Sequence, residues 1–68
     1  MLNEKVGENA GLVWSALSGN EEGLDLKGIK KVTKIKKNED IFMALGWLLR
    51  EDKLNVTEME DITVYSLK

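Results

Sequence analysis

The sequence predicts a mainly helical α+β fold, with a three-helix cluster, a short strand after the first helix and a C-terminal β-hairpin. Three observations carry this. Apolar residues recur at spacings of three and four in three separate stretches, the period of an amphipathic helix. Residues that cap or end helices bound those stretches: Gly19-Asn20, Asp25 and Asn38. From Leu54 onward the pattern changes to short runs rich in Val, Ile, Thr and Tyr, which suit strands.

The first helix is expected from Asn3 or Glu4 to Ser18. Leu2, Val6, Ala10, Val13, Trp14 and Leu17 would form its inner face, with Trp14 as a core residue. Asn3 supplies a cap, and Glu4 suits the positive end of the helix dipole. Gly7 and Gly11 weaken this helix by up to about 1 kcal/mol each, but they would let another segment come close. Gly19 or Asn20, in left-handed geometry, would end it. Glu21 to Gly23 is a loop and Leu24 a strand-like bridge. Asp25 then caps a second helix from Leu26 to Val32 that buries Leu26, Ile29 and Val32. Thr33 to Lys37 is a turn with Ile35 pointing inward. A third helix starts at the cap Asn38, carries Glu39 and Asp40 in its first turn and ends near Asp52. Its core stripe is Ile41, Phe42, Leu45, Leu48 and Leu49. Leu54–Glu58 and Ile62–Leu67 pair as the hairpin. In its second strand, Ile62 and Val64 share one face and Thr63, Tyr65 and Leu67 the other; the pattern leaves open which points inward.

This order of elements is that of a winged helix-turn-helix domain, in which the hairpin covers the flank that three short helices leave open. Sixty-eight residues allow one such domain, residues 1–68. A chain of this size buries only about 60% of its unfolded surface.

Composition excludes several classes of function. Forty-three per cent apolar and 32% charged residues describe a globular chain. Without cysteine there is no disulfide framework, in keeping with a reducing cytoplasm. No apolar run spans a membrane, and MLNEKVGENAG lacks the pattern of a secretory signal, so a cytoplasmic location is expected. Neither histidine nor cysteine is present to act as a catalytic base, nucleophile or soft-metal ligand. The carboxylate pairs Glu21-Glu22, Glu39-Asp40 and Glu51-Asp52 are expected in solvent. GENAG lacks the spacing and lysine of a phosphate-binding loop. The expectation is no enzyme activity, no cofactor, no metal and no small-molecule ligand.

Particular segments carry a family resemblance: VGENAGLVWSAL (Val6 to Leu17), LDLKGIKKVTKIKKNEDIFMALGWL (Leu24 to Leu48), REDKL (Arg50 to Leu54) and the closing VYSL (Val64 to Leu67). Together they resemble the short, stand-alone bacterial winged helix-turn-helix domains whose cellular role is largely unassigned. The pairing of GENAG and its following Trp with ALGWL and REDK is its most specific part. The resemblance implies the fold and a DNA-binding or regulatory role, and brings no activity or cofactor.

Charge is segregated along the chain. The net charge is −2, yet residues 26–37, LKGIKKVTKIKK, hold six lysines and no acid. A basic patch on an acidic body still attracts phosphate. In helix-turn-helix docking the third helix enters the major groove and the turn before it lies near the backbone. Lys30, Lys31, Lys34, Lys36 and Lys37 are therefore the expected phosphate contacts, with Asn38 and Met43 approaching the groove. The rest of the third helix fits DNA less well. Its outer face carries Glu39, Asp40, Met43, Trp47 and Arg50, with one obvious donor, and Glu58, Glu60 and Asp61 make the wing tip acidic. Met43 and Trp47 are neighbours at i, i+4 and would serve equally as a protein contact, unless the hairpin or the N-terminal segment covers Trp47. Two readings stand. One is a DNA-binding regulator or accessory factor with weak, salt-dependent affinity. The alternative is a protein-interaction module or homodimer using the third helix and the hairpin.

Overall fold

The computed structural model describes residues 2–68, with the backbone alone for Leu2 and Asn3. The elements are α1 (Leu2–Ser18), α2 (Leu26–Thr33), α3 (Asn38–Arg50), β1 (Leu54–Glu58) and β2 (Thr63–Leu67). The hairpin is antiparallel, with Leu54 opposite Leu67 and Val56 opposite Tyr65. Leu24 bridges Tyr65 on the other edge of β2: each backbone N–H donates to the other's carbonyl, at 2.9 and 2.8 Å. This is the wing of a winged helix-turn-helix domain, closed by a single strand-like residue.

One apolar cluster holds these elements together. Ala10, Val13 and Leu17 come from α1, Ile29 from α2 and Ile35 from the turn. Ile41, Ala44, Leu45 and Leu48 come from α3 and Leu54 from β1. Leu24, Leu26, Tyr65 and Leu67 pack against it. Tyr65 and Leu67 thus mark the inward face of β2. The most extensive packing is between α1 and α3.

The helices turn a narrower face inward than hydrophobicity alone implies. Trp14 is 44% exposed, not a core residue. The buried stripe of α1 runs Ala10, Val13, Ala16 and Leu17, and Trp14 lies one residue, about 100°, beyond Val13. Val32 is exposed, and the inward side of α2 is taken by the buried Ile29 with the half-buried Leu26. Phe42 and Leu49 are about half exposed, because the buried stripe of α3 is turned toward Ala44, on the other side of Ile41 and Leu48.

The caps also differ in part. Asp25 caps α2 as expected, accepting from the Gly28 N–H at 2.8 Å. The N-cap of α3 is Lys37, without a side-chain bond, and Asn38 is the first helical residue. α1 begins at Leu2, so Asn3 lies within it; the side chains of Leu2 and Asn3, expected as core and cap, lie outside the described residues. The helix ends without left-handed geometry at Gly19 or Asn20. The Asn20 side chain instead donates to the Ala16 carbonyl at 2.8 Å, satisfying an orphan acceptor of the last turn. α3 stops at Arg50, two residues before Asp52, whose φ is 58°. β2 starts at Thr63, because Met59 and Ile62 exchange hydrogen bonds to close the hairpin turn.

Gly23 marks the tightest passage. Its φ is 89°, and a Cβ there would lie 2.7 Å from Val64 Cγ1 and 2.8 Å from the Tyr65 carbonyl oxygen. Only glycine lets the loop reach β2 and form the Leu24 bridge. Gly11 is the opposite case, with open space where its Cβ would be. Gly23→Ala should therefore cost about 2 kcal/mol, whereas Gly11→Ala should stabilise by up to about 1 kcal/mol. Urea denaturation midpoints measure both; a neutral Gly23→Ala would contradict this account of the loop.

Candidate nucleic-acid interface and the outer face of α3

The lysine-rich turn is built on two fixed points. Ile35 is buried, so the residues on either side of it are held at the surface. Thr33 organises the chain on the way in. Its hydroxyl donates to the Ile29 carbonyl at 2.7 Å and accepts the Ile35 N–H at 3.3 Å. Lys34 adopts left-handed geometry, φ 61°, and its N–H closes α2 onto the Lys30 carbonyl at 2.9 Å. Lys30, Lys31, Lys34, Lys36 and Lys37 are all exposed along the edge made by the end of α2 and the turn. Among the described residues, none of these five is ion-paired.

Two contacts refine this edge. The Lys30 ammonium donates to the Asn38 side-chain oxygen at 3.0 Å, joining the end of α2 to the start of α3. Asn38 thus serves as a lysine's partner and not as a cap. Lys5 of α1 lines the same shallow concavity as Lys34, Lys36 and Lys37, and its ammonium lies 3.9 Å from Asp40 Oδ2. Sequence order put Lys5 in an acidic N-terminal segment; only the packing of α1 beside the turn reveals its place. Asp40, expected on the outer face of α3, turns instead toward α1.

The outer face of α3 has a different chemistry. Met43, at 38% exposure, and Trp47, at 40%, border an open groove with Val6, Gly46, Arg50 and Glu51. The hairpin does not cover Trp47. Its indole lies instead over Gly7 of α1, within 3.8 Å of where a Cβ would stand, so Gly7 admits the close approach expected of it. Across the helix, Phe42 borders a second groove with Leu26, Lys27, Asp61 and Ile62. The acidic wing tip therefore lies by the start of α2, at the opposite end from the lysine turn. Among the described residues no group of three or more acidic side chains is arranged to hold a metal ion, and no helix is long and apolar enough to cross a membrane.

Comparison with known proteins agrees with this architecture. A family model described as "Winged helix-turn-helix domain (DUF2582)" matches residues 1–67. The uncharacterized protein MJ1608 of Methanocaldococcus jannaschii is 36% identical over 69 residues, covering 94% of this chain and 91% of that protein. The solution NMR structure of protein BT2368 from Bacteroides thetaiotaomicron superposes with a TM-score of 0.86 at 28% identity, covering 98% of this chain and 79% of that one.

Thr33 carries the shape of the basic edge, so Thr33→Val should lower stability by about 1 kcal/mol. Amide exchange at Lys34 and Ile35 should accelerate with it. Unchanged protection at Ile35 would mean that the hydroxyl does not hold the turn.

Proposed function

The chain belongs to this family of winged helix-turn-helix domains, and from that premise we propose that it binds DNA, as a transcriptional regulator or accessory factor, through contacts to the phosphate backbone. One observation carries the reading: five exposed lysines, none of them ion-paired among the described residues, crowd one edge of the molecule, beside an α3 N-terminus without a side-chain cap. Backbone N–H groups at a helix start and neighbouring ammonium groups both favour phosphate oxygens. Lys34, Lys36 and Lys37 make the main contacts and Lys30 and Lys31 extend them along α2, while Lys5 offsets the carboxylate of Asp40 beside them.

Base reading has little to draw on. Asn38 stands nearest to a groove and offers an amide suited to a base edge. Met43 would add only apolar contact, and Arg50 lies at the far end of the helix. The affinity is therefore mainly electrostatic, with low sequence preference. The protein acts by binding and not by catalysis, and such a role places it in the cytoplasm. A second reading, a protein contact through Met43 and Trp47, is supported by the exposure of both side chains on one groove.

Affinity for a mixed-sequence duplex should fall steeply between about 50 and 200 mM salt. Replacing Lys34, Lys36 and Lys37 together by alanine should reduce the slope of log affinity against log salt by about 2 to 3. Met43→Ala should leave that slope unchanged. Absence of binding to duplex DNA at the lowest salt would end the proposal.

A further inference from the structure

The solvent side of α3 carries a pattern that the core does not require. Glu39, Met43, Gly46 and Arg50 follow one another at spacings of four, three and four, so they lie within about 40° of one line along the helix. All four are exposed. Phe42 and Leu49 flank this line on one side and Trp47 on the other, each about 40 to 50% exposed. An apolar band of this kind on a small domain marks a contact surface. Gly46 sits within it, with no atom inside 4 Å of where a Cβ would be.

We propose that this face is the interface of a two-fold symmetric homodimer in which α3 packs antiparallel against α3 of a second copy. The argument for a second copy is self-complementarity. Put the two-fold axis at the level between Ala44 and Leu45. Glu39 and Arg50 are then equally far from it on opposite sides, as are Met43 and Gly46. An antiparallel partner brings its Arg50 opposite Glu39 and its Glu39 opposite Arg50. Among the described residues neither side chain has an ion-pair partner within the monomer. The same operation sets each Met43 against the gap at the other copy's Gly46, which lets the helix axes approach to about 8 Å. Like flanks meet like flanks. Phe42 falls beside Leu49 of the second copy, and Met43 beside its Trp47. A two-fold interface must be self-complementary in this way, and a parallel arrangement would set Glu39 against Glu39. The inference does not depend on nucleic acid, since no lysine of the basic edge lies on this line.

The test is sedimentation velocity on the whole chain, from micromolar to about millimolar concentration. Wild type should shift from 7.7 kDa toward twice that mass. Glu39→Arg alone and Arg50→Glu alone should each raise the dissociation constant about tenfold or more, because each places like charges together twice per dimer. Glu39→Arg/Arg50→Glu together should restore it to within about threefold. Gly46→Leu should keep the helical circular dichroism of the monomer, since its side chain enters open space, yet should prevent dimerisation by filling the hole. Four results overturn the proposal: a wild type that stays monomeric throughout, single reversals without effect, a swap no better than the singles, or a Gly46→Leu variant that dimerises as wild type does.

Discussion

The molecule depends on the seam between α1 and α3. Ala10, Val13 and Leu17 are buried on one side, and Ile41, Ala44, Leu45 and Leu48 on the other. A chain this short has volume for one stripe per helix and little more. Ala10 and Ala44 are among the seam's buried residues, and their small side chains suit a close approach of two helices. Trp14 stands outside this stripe on α1, and Phe42 and Leu49 lie on the flank of α3 away from Ala44, where Phe42 borders α2 and the hairpin. The apolar outer surface of α3 is thus a direct consequence of how the core is built.

The seam also determines the shape of the basic edge. Ile29 and Ile35 plug it from the side of α2 and the turn, and between them Thr33 binds the backbone in both directions. With Ile35 pinned inward, Lys34, Lys36 and Lys37 have only solvent to face. Lys34 accepts left-handed geometry so that its N–H can close the helix, a conformation a β-branched residue would adopt only at greater cost. The wing is tied in by the same economy. Leu54 continues the core from α3, and Gly23 gives the chain after α1 just enough room to reach Tyr65.

Much of this was legible in the sequence. Element order, the Asp25 cap, the Leu24 bridge, the inward Ile35 and the hairpin all follow from local signals strong enough to survive packing. Periodicity failed where a helix edge had to be assigned. Val13 and Trp14 are both apolar and adjacent, and only the partner helix decides which one is buried. The same ambiguity moved Phe42 and Leu49 outward and Ala44 inward, because a small residue at a close helix contact carries no hydrophobic signal of its own. Asn38 was misplaced by one position, since its chemistry suits a cap but Lys30 offers it another partner. Of the candidate site, the five lysines could be read directly. Lys5 could not, because its place depends on a contact between residues more than thirty positions apart.

The distribution of charge limits how a duplex could approach. The acidic wing tip lies near Lys27, at the start of α2, while the lysine turn lies beyond the end of that helix. The two are therefore separated by about 10 Å along the helix, more than the screening length of about 8 Å at physiological ionic strength. The turn consequently keeps its positive field against the acids of the wing, but the wing cannot share in holding phosphate. A winged helix that docks with both its turn and its wing would need lysine or arginine at both ends, and this one has them at only one. Glu39 adds to the asymmetry by standing beside the basic edge on the outer side of α3. A duplex drawn to the turn would meet rising repulsion as it rotated toward α3 or the hairpin. The favoured approach leaves the apolar line of α3 outside the contact, so the basic edge and the helix face are free to serve separate partners.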